Sequence, residues 1–448
     1  MQHVKKYTLG TLACIASGLL IGFSPAQAQT PDKLLNDADR LARSIEAQVL
    51  SWRRDIHQHP ELGNREFRTS KLIADYLSQL GMEVHTGIAH TGVVGILRGN
   101  QAGPVVALRA EMDALPVTEQ VDLPFASKDR TTYNDNEVGV MHACGHDTHM
   151  AMLMGVAQIL TQVRDRLPGT VKFIFQPAEE GAPRGEEGGA KLMVKEGVLE
   201  NPSPSAIFGL HVFASDSSGL LMYKSGGIMA SSDALHITVR GRQTHGAVPW
   251  GGVDPIVVAA QIVLGLQTIV SRQIDLTSSP AVVTIGSIQG GVRGNIIPDE
   301  VVMVGTIRTF DPAMREEIHK RIKQTATKIA ESAGASADIE IPENGYPVTY
   351  NDPVLTAQMA PTLQRVAGTN NVKIVPARTT AEDFSFYQER IPGLFFFLGV
   401  TPRDADFTKV ASNHSPLFYV DESALIVGIR AMSYLALDYL YMHRSGNP

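Results

Sequence analysis

The sequence predicts an α/β protein: an α/β/α sandwich domain interrupted by a smaller, inserted ferredoxin-like α+β domain. At 448 residues, 44% of them hydrophobic, the chain is too long for one simple core, so two domains are expected. Short apolar strand patterns alternate with helical periodicity in the first half of the chain, as in a sheet that is covered on both faces. Between residues 235 and 341 the order changes to β-α-β-β-α-β, which is the ferredoxin-like unit.

The first half of the chain contains the following elements in order. Apolar residues recur at helical spacing over 32–58, which ends near Pro60, and over 66–80, which is followed by Gly81. Further segments are predicted as strands at 93–97 and 105–109, a helix at 147–163, and strands at 171–175, 206–211 and 220–223.

The inserted unit follows. It comprises strands at 235–239, 282–288, 301–308 and 337–341, with helices at 254–272 and 312–333. The alternating strand and helix patterns of the first half of the chain resume at Val354, Val372, Leu394 and Ala424. The predicted division is therefore 1–28 as a signal peptide, 29–228 and 343–448 as two parts of the sandwich domain, and 229–342 as the insertion.

The first 28 residues have the pattern of a cleavable signal peptide. Lys5 and Lys6 precede the apolar run 9–23, and Ala26-Gln27-Ala28 supplies the small-residue cleavage pattern. We expect cleavage after Ala28 and a periplasmic or secreted protein. No later stretch reaches about 18 continuous apolar residues, so no membrane contact is expected after processing.

Charge and cysteine content narrow the chemistry. The formal charge of -7, without basic runs, argues against a nucleic-acid partner. Cys14 lies in the signal segment, so Cys144 is the single cysteine expected in the mature chain. A lone thiol in an oxidising compartment calls for a reason, and metal ligation is one, because a metal keeps the sulfur occupied as thiolate.

Four clusters of reactive side chains lie at strand ends or helix starts, the edge where α/β sheets bind ligands. They are Cys144-Gly145-His146 before a helix, Glu179-Glu180 after a strand, His211 at a strand end, and His414 in a turn before the last helix. Taken singly, each is open to a structural interpretation: a buried thiol, a surface acidic pair, or a hydrogen-bonded histidine. The helix start after Cys144 would favour a thiolate.

Taken together, Cys144, His146, Glu180, His211 and His414 form a donor set that zinc-like or manganese-like ions accept. Five ligands exceed the need of one tetrahedral ion, so we expect two divalent ions, manganese or zinc, with cobalt or nickel also tolerated. The remaining acid, Glu179, is then available as a general base.

Other side chains are candidates for supporting roles. Asp113, after the strand 105–109, is placed to receive the second N–H of a ligating histidine. In the insertion, Asn295 and Arg308 form a natural clamp for a substrate carboxylate, and His245 could donate to an oxyanion. Their structural alternatives are a turn asparagine, a surface arginine and a strand-end histidine.

The sequence resembles the metallopeptidase family of hippurate hydrolases, aminoacylases, auxin-conjugate amidohydrolases and carboxypeptidases. Acetylornithine deacetylase and succinyl-diaminopimelate desuccinylase are more distant relatives. The resemblance spans nearly the whole mature chain and is carried by residues 59–63, 108–116, 144–147, 176–181, 209–212, 241–245, 381–385 and 414–416. More distant relatives use Asp where Cys144 stands, which places the chain in the amidohydrolase branch.

The resemblance implies a catalytic sandwich domain and an inserted lid and dimerisation domain. It implies that the five donors named above are the metal ligands and that Glu179 activates the attacking water. It also implies a homodimer in which His245 reaches the partner's active site, with Asn295 and Arg308 reading the substrate carboxylate.

The function expected on these grounds is metal-dependent hydrolysis of the amide bond of N-acyl amino acids. Two alternatives stay open. One is a metallocarboxypeptidase that releases C-terminal amino acids from short peptides. The other is a periplasmic metal- or solute-binding protein without turnover, against which Glu179 beside a ligand carboxylate argues, because storage needs no general base.

Overall fold

The computed structural model describes residues 29–444, so the predicted signal segment, with Cys14 and the cleavage position, lies outside the described residues. Within this range the largest sheet has eight strands, and helices pack on both of its faces. A second, four-stranded antiparallel sheet has a hydrophobic core of its own. The predicted fold class, an α/β sandwich with a ferredoxin-like insertion, is confirmed.

The bounds of the regular elements between residues 29 and 444 are as follows. The helices are α1 (Asp32–Ser44), α2 (Glu46–Gln58), α3 (Phe67–Gln79), α4 (His146–Gln162), α5 (Gly189–Lys195), α6 (Pro255–Thr268), α7 (Pro312–Ser332), α8 (Pro353–Ala367), α9 (Ser385–Gln388) and α10 (Leu425–Met442). The strands are β1 (Glu83–Ile88), β2 (Gly92–Arg98), β3 (Gln101–Glu111), β4 (Arg130–Tyr133), β5 (Asn136–Gly139), β6 (Pro168–Gln176), β7 (Ala206–Ser217), β8 (Leu221–Tyr223), β9 (Gly226–Met229), β10 (Asp233–Arg240), β11 (Thr244–His245), β12 (Ala281–Gln289), β13 (Ile296–Ile297), β14 (Glu300–Thr309), β15 (Ser336–Glu340), β16 (Thr349–Asn351), β17 (Val372–Ile374) and β18 (Gly393–Thr401).

The large sheet has the strand order β1-β2-β6-β3-β7-β18-β8-β17. Its four central strands, β6, β3, β7 and β18, are parallel, so their carboxyl ends lie at one edge. The central strands are buried on both faces: in β18, Phe396 packs with α4 and α10, whereas Phe395 and Phe397 pack with α5 and α9. This double burial explains why the strand is a continuous apolar run.

The inserted unit runs β10-α6-β12-β14-α7-β15, with the short pair β11 and β13 in its connections. Its four strands pair in the order β12-β14-β10-β15, and α6 and α7 supply the opposite half of its core. Both helices begin at an Asp-Pro pair. Asp254 and Asp311 accept hydrogen bonds from backbone N–H groups of the first turn, and proline occupies the first helical position.

Some predicted elements differ from the structure. The predicted helix 32–58 is two helices that meet at Ile45, which is buried on the same face and so preserves the apolar periodicity across the break. Strand β1 and the hairpin of β4 and β5 were not predicted. Their residues are mostly exposed, and these short segments contain few apolar side chains, so the signal for strand prediction is weak.

Two segments of the described chain, Pro255–Gln273 and Glu422–Met442, are long and apolar enough to cross a membrane by length and composition alone. In the second, 78% of the apolar window is buried inside the protein, which is typical of a core helix. In the first, the buried share is only 33%. Helix α6 therefore carries an outward apolar face, formed by Ile256, Val257 and Leu264.

Candidate active site

The candidate ligands gather at the carboxyl edge of the parallel strands. His211 lies in β7, Glu179 and Glu180 follow β6, and Cys144 and His146 lie at the start of α4. His414 is in the loop between β18 and α10. Residues from four separated parts of the sequence thus meet at the edge where an open α/β sheet binds its ligands.

The turn from Cys144 to His146 depends on a glycine. Gly145 has φ 93°, and a Cβ atom added there would lie 2.4 Å from Val212 Cγ2. Glycine alone adopts this conformation without cost, and it also lets the turn pack against β7. Cys144 and His146 can therefore both face the same space although they are separated by one residue.

The thiol of Cys144 is at the centre of the cluster. Its Sγ lies 3.3 Å from His211 Nε2 and 3.2 Å from His414 Nε2. Two groups of potential ligand atoms, each with all atoms within 4.8 Å of one another, share this sulfur: one with His146 and His211, the other with Glu180 and His414. A sulfur common to two sets of donors is what two neighbouring ions would need.

The surroundings of the Cys144 thiol disfavour its ionised form. Burial, followed by the charges of Glu180 and Glu179, raises the pKa of the Cys144 thiol well above its usual value. These effects outweigh the start of α4, which was expected to favour a thiolate. A thiolate at this place needs positive charge beside it, and divalent ions would supply that charge.

His146 supplies a test of whether an ion fits. Its Nδ1 lies 2.8 Å from the backbone carbonyl oxygen of Asp113, so the ring is held with Nε2 toward the cluster. Nε2 is buried and has no hydrogen-bond partner among the described residues. Because a buried polar atom without a partner is costly, and the donors around it are a thiol, imidazoles and carboxylates, the residues fit a divalent metal ion.

Asp113 acts differently from the expectation. The nearer oxygen to His146 is its backbone carbonyl, whereas its carboxylate Oδ1 lies 3.4 Å from His146 Nδ1. The other carboxylate oxygen, Oδ2, accepts a 2.9 Å hydrogen bond from the backbone N–H of Glu180. Asp113 therefore orients two of the predicted ligands, one through its main chain and one through its side chain.

The turn that carries the two acids is strained and firmly held. Ala178 has φ 50°, a left-handed conformation that a residue with a side chain seldom adopts. The backbone N–H of Ala178 donates to Glu66 Oε1 (2.9 Å), and the carbonyl oxygen of Glu179 accepts from the Tyr346 hydroxyl (2.6 Å). The Asp113 carboxylate accepts from the N–H of Glu180, so three side chains from distant segments fix this turn.

Glu179 is buried close to other carboxylates. Its side chain is buried, and Oε2 lies 3.9 Å from His146 Nε2. Burial, followed by the charge of Glu382, raises the pKa of Glu179 well above its ordinary value. A carboxylate with a raised pKa can take up a proton and deliver it again in the same reaction.

The most exposed of the predicted ligands is His414, and its loop is tied to the rest of the site by Asn413. The side-chain amide of Asn413 donates to the carbonyl oxygens of Cys144 (3.2 Å) and Val212 (3.0 Å) and accepts from the N–H of Ala214 (3.1 Å). His414 itself has φ 69°, another left-handed residue. Asn413 was not predicted, because its anchoring role depends on contacts with distant segments.

A buried ionic network lies beneath the ligands and was not predicted. Arg109 is fully buried and pairs with Glu111, with Glu382 (2.9 Å) and with Asp383 (2.8 Å). Glu111 contacts His149 Nδ1 (2.7 Å), and His149 Nε2 accepts from the N–H of Val212, the neighbour of His211. Arg109 and Glu111 lie in an apolar strand, and Glu382 and Asp383 lie in a loop, so no local pattern indicates that these residues pair.

This network explains why one further group of donors is not an ion site. Glu111, His146 and His149 lie close enough to hold a metal. However, both ring nitrogens of His149 are engaged, one with Glu111 and the other with the Val212 N–H. His149 thus has no free donor atom, and its role is to hold the end of β7 in place.

The three residues expected from the insertion lie away from this cluster. His245 and Asn295 are exposed and lie next to each other on β11 and the loop before β13, while Arg308 on β14 is half-buried and donates to the Ser231 carbonyl oxygen (3.5 Å). Among residues 29–444, those that line the cavity beside Cys144 do not include these three.

The cavity beside the cluster has a volume of about 440 Å³. Beyond the ligands, it is lined by Phe213, Met229, Tyr346 and Arg378, among others. The Arg378 guanidinium stacks over Phe213, 4.1 Å from the ring centre, and pairs with Asp216 at 2.7 Å. Arg378 was not predicted, because a single arginine between loop residues carries no pattern.

The chain matches the model of peptidase family M20/M25/M40 over residues 107–438. It is 40% identical over 409 residues to thermostable carboxypeptidase 2 of Saccharolobus solfataricus, covering 91% of this chain and 98% of that protein. It is 38% identical over 441 residues to the IAA-amino acid hydrolase ILR1-like 4 of Arabidopsis thaliana, covering 98% and 93%.

Among solved structures, the chain is similar to the Bacillus subtilis YXEP protein, described as a dinuclear metal binding peptidase from the M20 family. The TM-score is 0.72 at 36% identity, covering 89% of this chain and 99% of that one. These matches agree with the cluster of potential metal ligands at the sheet edge. The chain therefore belongs to peptidase family M20/M25/M40, and it is a metal-dependent hydrolase of amide or peptide bonds.

Proposed function

We propose that the protein hydrolyses the amide bond of N-acyl amino acids with two divalent ions and Glu179 as general base. The observation that carries the proposal is the Cys144 sulfur shared by two groups of donors, with the buried Glu179 carboxylate beside them. His146 and His211 would complete one ion site, and Glu180 and His414 the other. The ions would lower the pKa of a water and polarise the scissile carbonyl.

The protein's own residues would do the following. Glu179 accepts a proton from the attacking water while the water oxygen bonds to the carbonyl carbon. When the carbon–nitrogen bond breaks, Glu179 returns the proton to the leaving nitrogen, so that one carboxylate serves both steps. The strained turn and its three anchors keep Glu179 beside the ligands throughout.

The size and lining of the cavity support a small substrate. A volume of about 440 Å³ is in the range typical of small-molecule sites. The apolar side chains Phe213 and Met229 suit an acyl group or an apolar amino-acid side chain. The relatives named as an IAA-amino acid hydrolase and as an N-acetylcysteine deacetylase are consistent with acyl-amino-acid substrates.

A second candidate is a carboxypeptidase of short peptides, and the 40% identity with a thermostable carboxypeptidase favours it. The two activities differ in the group on the acyl side of the scissile bond. We expect faster release of amino acid from benzoyl-glycine than from dipeptides of the same C-terminal residue. Faster hydrolysis of the dipeptides would assign the carboxypeptidase activity instead.

The role of Glu179 is tested with Glu179→Ala. We expect bound metal close to the wild-type amount and kcat lower by roughly 100-fold or more. Glu187→Ala is a matched control, because Glu187 is exposed and its carboxylate forms a surface ion pair with Lys195. Near-full activity of Glu179→Ala would show that Glu179 is not the general base. A wild-type protein that hydrolyses no acyl amino acid or peptide would instead favour the binding-protein alternative.

For the metal, we propose manganese or zinc as the physiological ion, with cobalt and nickel as substitutes. The set of one thiol, three imidazoles and a carboxylate is acceptable to all four. Elemental analysis of protein purified without added metal tests this, and reloading the chelator-treated enzyme with each ion separately ranks them by activity. Full activity after chelation would contradict the metal requirement.

We also propose a homodimer formed by the insertion. Strand β12 is an edge strand with exposed Val282 and Ile288, and the neighbouring α6 exposes Leu264 at 72%. An unpaired edge beside an apolar helix face favours association with a second copy. Leu264→Glu should convert the dimer to a monomer in light scattering, and an unchanged mass would exclude this interface.

In such a dimer, His245 of one copy would reach the active site of the other, and Asn295 and Arg308 would bind the substrate carboxylate. Co-expression of His245→Ala with Glu179→Ala tests the first role. Each variant is inactive by itself, but mixed dimers contain one intact site, so about one quarter of the wild-type activity should return. No recovery in verified mixed dimers would place His245 outside the partner's site.

Finally, we propose that residues 1–28 direct the protein to the periplasm or outside the cell and are removed after Ala28. N-terminal sequencing of protein from the periplasmic and secreted fractions should begin at Gln29. An uncleaved protein in the cytoplasmic fraction would contradict this localisation.

A further inference from the structure

The two connections between the large sheet and the insertion pair with each other at one point. The chain enters the insertion after β9 and returns from it before β16, and Ser232 and Tyr346 lie on these two crossings. The backbone N–H of each donates to the carbonyl oxygen of the other, both at 2.9 Å. Tyr346 therefore belongs to the backbone that joins the insertion to the rest of the molecule.

The side chain of Tyr346 extends from this crossing into the active site. Its hydroxyl donates a 2.6 Å hydrogen bond to the backbone carbonyl oxygen of Glu179. The ring packs edge-on against Phe386, with centroids 6.1 Å apart, and Pro347 restricts the backbone of Tyr346 to extended conformations. The position of the Tyr346 hydroxyl is therefore restricted by both its ring packing and its backbone.

The turn that carries Glu179 is held by three side-chain hydrogen bonds. Ala178 is left-handed, at φ 50°, and such a conformation persists only where its surroundings impose it. Glu66 and Asp113 hold the N–H groups of Ala178 and Glu180, and both come from the same domain as the turn. Of these anchors, Tyr346 is the one that comes from the crossing to the insertion.

We propose that Tyr346 is a positioning residue that couples the position of the inserted domain to the general base. A displacement of the insertion moves the Ser232–Tyr346 crossing, and the hydroxyl transmits this movement to the Glu179 carbonyl. The enzyme then has its base correctly placed only in one position of the insertion. This inference rests on the proposed function for the role of Glu179, but the anchor itself can be measured without turnover.

The hydroxyl is tested with Tyr346→Phe, which keeps the ring. Since one neutral hydrogen bond is lost, kcat should fall roughly two- to twelvefold, with KM within about twofold and bound metal unchanged. Tyr350→Phe is the matched control, because Tyr350 lies on the same segment, is exposed, and makes no side-chain hydrogen bond among the described residues. Equal kcat for Tyr346→Phe and the wild type, or equal losses in both variants, would overturn the proposal.

An activity-independent measurement separates this proposal from the proposed function. In metal-free protein, hydrogen–deuterium exchange of the peptide covering residues 176–183 should be faster in Tyr346→Phe than in the wild type or in Tyr350→Phe. Unchanged exchange would overturn the anchor. If the exchange changes as expected but the wild type hydrolyses no amide, the proposed function fails while the anchor stands.

The coupling is tested with Gly345→Ala, because a Cβ atom there would lie 2.5 Å from Asp233 Oδ1 and 2.7 Å from the Ser232 carbonyl oxygen, so the crossing must shift. We expect a lower kcat in the otherwise wild-type protein and little additional loss in the Tyr346→Phe background, since the transmitting hydroxyl is already absent. Independent, multiplicative losses would show that the crossing does not act through Tyr346.

Discussion

Replacing Gly145 by alanine should disrupt the metal site through the backbone, without changing any ligand. Gly145 separates Cys144 from His146 and has φ 93°. The added Cβ atom would lie 2.4 Å from Val212 Cγ2, about 1 Å inside the separation at which carbon atoms pack. Val212 is fully buried, and its β-branched side chain is stiff, so the strain must be relieved in the turn that carries the two ligands.

The magnitude follows from two effects. A non-glycine residue in the left-handed region costs about 1–2 kcal/mol, and overpacking a buried contact costs about 1–3 kcal/mol. The free energy of unfolding should therefore fall by about 2–5 kcal/mol before any metal is considered. A shift of the turn by a few tenths of an ångström also exceeds the roughly 0.2 Å tolerance of metal–ligand distances.

Denaturant unfolding of the chelator-treated protein measures the loss of stability, and elemental analysis after reloading measures the loss of metal binding. Two other glycines separate the causes. Gly81 has φ 73° with no atom within 4 Å of an added Cβ, so Gly81→Ala should show only the conformational cost. Gly294 has open space and no positive φ, so Gly294→Ala should be nearly neutral. If Gly145→Ala is no less stable than Gly81→Ala and binds the wild-type amount of metal, the close packing of this turn against Val212 does not shape the site.

Three further predictions concern the thiol, the anchor of the acidic turn and the buried arginine. Cys144→Ser should bind less than half of the wild-type metal by elemental analysis, because a hydroxyl is a poor replacement for a thiolate that two groups of donors share; full metal content would contradict the shared role. Burial, followed by the charge of Asp113, raises the pKa of Glu66 from 4.5 to about 8. The folded protein therefore binds this proton more tightly than the unfolded chain, and stability should fall as the pH rises from about 4.5 to 8 in metal-free protein. Glu66→Gln should flatten that slope in denaturant unfolding, and an unchanged slope would assign it to other groups. Arg109→Met should lower the free energy of unfolding by about 3–5 kcal/mol, because it leaves Glu111, Glu382 and Asp383 without their partner, whereas the exposed Arg240→Met should change it by no more than about 1 kcal/mol. Similar losses for the two arginines would contradict the importance of burial.

The ligand set could be anticipated because its chemistry is visible in single residues. Cys144 and His146 lie at a helix start, the Glu179–Glu180 pair follows a strand and His211 lies within one, and the carboxyl ends of parallel strands meet at one edge. The fold class was accessible for a related reason: buried strands such as β18 are continuous apolar runs, and helices such as α7 begin with an Asp-Pro cap. These patterns involve residues close together in the chain, so they can be recognised from the sequence alone.

The supporting residues could not be anticipated because their roles depend on contacts between distant segments. Arg109 and Asp383 are 274 positions apart, and Tyr346 is 167 positions from the carbonyl that it holds. Asp113 shows the same difficulty at finer scale, since its backbone and its side chain orient different ligands. No sequence pattern indicates which ligand the backbone or the side chain of a residue will contact.

The sequence by itself thus determined the class of fold, the kind of donor atoms and the family to which the chain belongs, because each depends on residue types at short spacing. Only the tertiary structure decided that one sulfur is shared by two groups of donors, that the base stands on a strained turn, and that this turn is anchored from the crossing to the insertion. The physical reason is that burial, orientation and pKa depend on neighbours that folding brings together and that the linear order of residues does not specify.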